Sequence, residues 1–197
     1  MTKQHDAADC GETVRRTFTG MDFSGADLSS REYVSCAFDG GNFSQADCTG
    51  ASFDACVFRG CNVSNPKLTN SRFLDCSFTS CKLLGMNFCD CDQLSFDLAI
   101  DDSRLSTCNF SGLKMKRSSF KSCVMEDCYF EDTFLVESDF TGTVFRSTLF
   151  HQCDLQKAVF TDAEGYAINP LTNKIRKAVF GLPGALSLLD YFDIVLK

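Results

Sequence analysis

The chain has 197 residues, among them 20 Phe, 13 Cys, two His and no Trp, and a formal net charge of −7. That length makes one domain the default. The acidic balance argues against a nonspecific nucleic-acid binder, which would want a basic stripe, and the near-absence of His argues against a His-based metal centre. No run of 18 apolar residues occurs, so no membrane-spanning helix is expected. The start, Met1-Thr2-Lys3-Gln4-His5-Asp6, lacks the apolar stretch of a signal peptide, and a cytoplasmic location is the default expectation.

Residues 1–15 are polar and carry no regular beat. Cys10-Gly11-Glu12-Thr13-Val14 reads as a lead-in strand that caps the first coil. From residue 16 a five-residue frame sets in. Phe18, Phe23, Leu28, Tyr33, Phe38 and Phe43 begin it, and it runs on to Phe88. A small residue usually precedes each large one by two positions, as Ala26, Cys36, Ala46, Cys56 and Cys76 do. A period of five fits neither ordinary element. On a helix, residues five apart lie ~140° round the axis, and on a strand an odd spacing puts alternate members on opposite faces. All of them stay inside only if the chain turns a corner every five residues. Each side then points two residues inward and three outward. Asp, Asn, Ser and Gly, which suit turns, dominate the outward positions. Four sides close a coil of about twenty residues, and coils stack at the ~4.8 Å inter-strand spacing.

Within this run Cys48 takes a large slot and Pro66 a small one. Pro66 is expected to cost one inter-coil hydrogen bond. Between Phe88 and Ile100 the frame contains two residues too many. Residues 89–99 read either as a bulge or as a small partner-contacting loop carrying Leu94, Phe96 and Leu98. The frame then resumes from Ile100 to Phe160. Together the two runs hold 15 and 13 large positions, hence about seven coils over residues 16–160. Glu126, Asp127, Glu131, Asp132, Glu137 and Asp139 lie outward on consecutive sides of one coil, with Lys114, Lys116, Arg117 and Lys121 on the coil below. They read as a solvated, partly compensated surface or as a partner surface. Residues 161–197 leave the frame. A turn at Asn169–Asn173, a last extended side at Lys174–Phe180, a short helix from Leu182 and a terminal strand at Phe192–Leu196 form a C-terminal cap. Leu186, Leu189, Phe192 and Val195 on it are candidate homodimer contacts.

This pattern resembles the pentapeptide-repeat proteins over about three quarters of the chain. The resemblance implies an all-β solenoid, a right-handed quadrilateral β-helix, closed by a short C-terminal helix-plus-strand cap that pairs two molecules in similar proteins. It also implies a function. The Qnr-type and other gyrase-protecting members resemble B-form DNA and bind DNA gyrase or topoisomerase IV, which protects those enzymes from poisons such as quinolones. This chain lacks the long Qnr loops, and its acidic column Asp27, Asp47 is continued by Lys67.

No Ser or Cys has an evident base and orienting partner, and no phosphate-binding glycine loop precedes a helix. Cys spacings of twenty, as in Cys36, Cys56 and Cys76, read as ladders of buried free thiols rather than disulfides or a metal site. The expectation is a non-enzymatic binding protein without cofactor or metal, making no direct nucleic-acid or membrane contact. Its partner is either gyrase or topoisomerase IV, or an unrelated bacterial protein on a scaffold.

Overall fold

The computed structural model describes residues 11–93, 96–192 and 194–195. Two structural facts stem from the five-residue beat. Large frame residues such as Phe38, Phe53, Phe78, Phe110, Phe130 and Phe150 are buried, as are the slim residues beside them. The second position after nearly every large residue has a positive φ. This holds for Ser30, Ser35 and Asn70, but also for Arg15, Ala55, Arg117, Glu137, Lys157 and Lys177. The corner therefore requires the left-handed conformation and imposes it on residues that disfavour it. Local side chains support the turns. The Ser24 and Thr49 backbone N–H groups donate to the carboxylates of Asp22 and Asp47, two residues earlier. An outward Asp just before a large residue is thus first of all a turn device.

The coils stack as a parallel β-solenoid of about 8 turns, and pairing runs along four sides. The first side comprises Glu12–Val14, Glu32–Val34, Ser52–Asp54 and the start of Arg72–Thr79. It resumes as Lys114, Phe134, Asp154 and Lys174. The second runs from Thr17–Thr19 through Ala37–Asp39, Val57–Arg59, the end of Arg72–Thr79 and Phe96–Asp101, and finishes with Val159–Phe160 on Val179–Phe180. On the third, Asn62–Ser64, Lys82–Leu84, Arg104–Ser106, Val124–Glu126 and Val144–Arg146 succeed one another. The fourth carries Tyr129–Glu131, Leu149–His151 and Ala167–Ile168. Inside, rings stack at the coil spacing. Phe18, Phe38, Phe58 and Phe78 lie 5.1, 4.9 and 4.5 Å apart, and Phe110, Phe130 and Phe150 lie 4.8 and 4.9 Å apart.

The stack extends past both ends of the 16–160 frame, which is why about eight turns replace the expected seven. Glu12–Val14 already pairs with Glu32–Val34, and Asp154 pairs with Lys174. The last coil was hidden because its large slot holds Gly165, while Tyr166, one residue later, fills the interior. Gly165 has a φ of 72° and sits against the Phe145 carbonyl, where a Cβ would collide. After it, Leu149 pairs with Ala167 rather than with residue 169, and the Asn169–Asn173 turn restores the register.

The irregular segment is a bulge. Phe78 pairs with Ile100 and Lys82 with Arg104, so the usual offset of twenty grows by two, and the register slips between Phe96 and Leu98. A short 3-10 turn at Phe88–Asp90 precedes it. Two further expectations need correction. The position held by Pro66 donates elsewhere to the residue three before it, as Ala46 does to Phe43 and Ser71 to Leu68, so Pro66 forfeits a bond within its turn and not one between coils. In the C-terminal cap a 3-10 helix spans Gly184–Tyr191, but Ile194 and Val195 are not in a strand. Asp193 and Leu196 lie outside the described residues.

Candidate partner surface

Six acids stood out in the sequence, and the structure does not assemble them into one face. Glu126 belongs to the third side and Glu131 to the fourth, Glu137 stacks on the first, and Asp139 pairs along the second. They ring the rod. Three of them are internally compensated: Glu126 meets Arg104 at 3.0 Å, Glu137 meets Arg117 and Lys157 at 2.8 Å each, and Asp139 meets Lys121 at 3.4 Å. The Lys157 ammonium and then the Arg117 guanidinium hold the Glu137 carboxyl down to about 2. Asp127, Glu131 and Asp132 are exposed and form no ion pair among the described residues. The Asp27–Asp47–Lys67 column is likewise compensated, with Lys67 2.9 Å from Asp47. The Thr49 hydroxyl and then Lys67 lower Asp47 to about 2.

Two of the three candidate loop contacts point inward. Phe96 and Leu98 are buried in the bulge, where Phe96 packs edge-on against Phe88; Leu94 lies outside the described residues. At the C-terminal end, Leu186, Phe192 and Val195 are exposed, with Val195 84% accessible, whereas Leu189 is half-buried. Leu182, at 83%, joins this apolar end, although nothing in the sequence singled it out. Tyr129 and Leu149 on the fourth side and Phe134 on the first also stand exposed. They occupy outward positions flanking the frame, and only their size marked them.

No enclosed chemistry accompanies these surfaces. One groove of about 340 Å³ runs along the bulge between Asp75, Asp97 and Arg117, and another of about 380 Å³ lies between Asp162–Gly165 and Gly181–Ser187. Both open to solvent, and neither brings a nucleophile to a base. The described thiols are free, and all but Cys89 are buried. Burial pushes Cys48 up to about 12 and Cys153 to about 11, so they stay protonated and unreactive. Many donate weakly to the coil below, as Cys36 does to the Thr13 carbonyl at 3.2 Å and Cys76 to Phe53 at 3.3 Å. No group of three or more His, Cys, Asp or Glu side chains among the described residues could hold a metal. No helix among them is long and apolar enough to cross a membrane.

A family model for pentapeptide repeats matches residues 34–65 and 56–92, where the corners, stacked rings and thiol ladders described above are most regular. Over residues 34–92 the chain carries pentapeptide repeats. Residues 86–169 also match a model of the SV2A/B/C luminal domain. No curated protein matches. Among solved structures, this pentapeptide-repeat chain is similar to QnrB1, a plasmid-mediated fluoroquinolone resistance protein. One trypsin-treated variant gives a TM-score of 0.72 at 15% identity, covering 95% of this chain and 99% of that one. A second gives 0.63 at 16% identity over the same shares, and full-length QnrB1 gives 0.53 at 15%, over 93% and 100%. At such identities the likeness establishes the shared fold.

Proposed function

We propose that this pentapeptide-repeat protein is a non-enzymatic, cytoplasmic binding protein that engages DNA gyrase or topoisomerase IV and protects it from poisons such as quinolones. The observation that carries this reading is the likeness in fold, over 95% of the chain, to a fluoroquinolone resistance protein. The physical argument is that a stiff, net-acidic rod with exposed, unpaired carboxylates at Asp127, Glu131 and Asp132 competes for a basic DNA-binding saddle. The apolar C-terminal end, with Leu186, Phe192 and Val195, is the proposed homodimer contact.

A second reading, a scaffold for an unrelated protein, is favoured by the ring-like spread of the acids. A duplex mimic would keep them in columns. The two readings part in a supercoiling assay. Purified protein in excess over gyrase is expected to alter supercoiling or to rescue it from a quinolone. No effect under either condition overturns the gyrase reading and leaves the scaffold. Reversing charge with Glu131→Lys and Asp132→Lys is expected to weaken any effect; unchanged potency would remove that edge from the contact.

A further inference from the structure

The net charge of −7 averages over four unlike sides. Folding gathers cations on the C-terminal half of the first side. Lys114, Phe134, Asp154 and Lys174 stack there in register on successive coils. The lowest of these sides presents Lys114, Lys116 and Arg117, and the uppermost presents Lys174, Arg176 and Lys177, all exposed. Three coil steps separate the two rows, about 14 Å at the inter-strand spacing. Lys157 lies between, and with Gln156, Arg176 and Lys177 it lines a groove of about 230 Å³. On these sides lie two acids, both engaged, while Asp97 shares a groove with Arg117 and Asp132 stands at the corner before Phe134. Glu137 binds Arg117 and Lys157, and Asp154 accepts the backbone and side-chain N–H groups of Gln156. Seven of the chain's 19 bases thus gather here, with two of its 26 acids among them and Asp97 and Asp132 at the border. Between the cationic rows stands Phe134, 38% exposed on a sheet face whose neighbouring large rings are buried.

We propose that this half-side is a docking face for single-stranded nucleic acid, with phosphates on the two cationic rows and a base stacked on Phe134. Paired cations around an exposed ring are what sequence-tolerant single-strand binding uses. A duplex keeps its bases stacked on one another and leaves the ring without a partner. A net charge of −7 does not oppose such binding, because screening confines each charge's influence to about 8 Å and a strand on this face responds to the face and not to the sum. This inference is independent of the gyrase reading.

The test is fluorescence anisotropy of a labelled oligo-dT of about 20 nucleotides with the full chain, as salt is raised from about 50 to 200 mM. Binding is expected at low salt, with a log–log slope near −3 to −4 for about five neutralised phosphates. Lys174→Glu with Arg176→Glu is expected to weaken binding at least tenfold and flatten the slope. Phe134→Ala is expected to weaken it about tenfold, the scale of one lost stacked base. Lys82→Glu with Arg146→Glu, an equal charge change on the third side, is expected to retain binding. Circular dichroism checks that every variant keeps its strands. Absence of binding at low salt, equal loss in the third-side variant, or equally good competition by polyglutamate each overturns the proposal; the last would make this a face for acidic proteins.

Discussion

The two halves of the stack solve one packing problem with different chemistry. Below the bulge Cys is the commonest residue in the slim inward slot, and its thiol donates to a carbonyl of the preceding coil, as Cys56 does to Tyr33 at 3.3 Å and Cys61 to Phe38 at 3.2 Å. Above it the slot often holds Ser or Thr. There Thr133 donates to Phe110 at 3.1 Å, Ser138 to Met115 at 2.9 Å and Thr148 to Met125 at 3.2 Å. The acceptor is equivalent and only the donor changes. Where Cys, Ser or Thr fills the slot, its side chain offers a hydrogen to an otherwise underused carbonyl. Volume and polarity both matter there. Outside, the halves differ more. The lower first side carries Glu12, Glu32, Asp54 and Asp75 interspersed with Arg15 and Arg72, and the upper first side carries the cationic rows.

The largest expected effect treats the halves as equal. Phe78→Ala below the bulge and Phe130→Ala above it each remove a fully buried ring from a stacked column, and each is expected to cost ~3–5 kcal/mol by chemical denaturation. A loss under ~1 kcal/mol in either half would show that its column is not closely packed. The next effect separates the donors. Thr133→Val keeps the shape but takes the hydroxyl from the Phe110 carbonyl, at ~1–3 kcal/mol. Cys76→Ser, which swaps the lower half's donor for the upper half's, should stay within ~1 kcal/mol of the parent. A large loss from Cys76→Ser would mean that the thiol's bulk matters more than its hydrogen.

A smaller effect tests the outer ladder Arg117–Glu137–Lys157. Both cations depress the Glu137 carboxyl from 4.5 to about 2, so its contribution to stability is fully present above pH 4.5 and fades as pH falls towards 2. Parent and Glu137→Gln should differ in Tm at pH 6, and the gap should close on acidification through that window. A gap that widened instead would reverse the sign of the interaction. The smallest effect belongs to the lower half. A void of about 20 Å³ lies against Cys48, where the frame has no Phe or Leu. Cys48→Leu should raise stability by ~0.5 kcal/mol in denaturant titration, and a decrease would show that the void is too narrow to accept the added carbons.

Much of the architecture was legible from the residues. The burial of Phe53, Phe73 and Phe130, the ladders of Cys36, Cys56 and Cys76, and the two-residue slip before Ile100 all come from counting. The last coil was not legible, since Gly165 broke the beat and Tyr166 restored the filling one residue late. The partner surface was read least well. Composition marked the acids, but Glu126, Glu131, Glu137 and Asp139 turned out to face four directions, and Phe96 and Leu98 went inward.

By itself the sequence determined that a corner comes every five residues and which two side chains of each five face the axis, because neither a helix nor a straight strand keeps an apolar set spaced by five on one face. Only the tertiary structure decided which outward residues become neighbours. Those contacts join side chains about twenty positions apart, as in Lys157 with Glu137 and Arg104 with Glu126, and one bulge shifts their register by two. Surface charge here is a property of stacking, and a count of acids and bases along the chain cannot locate it.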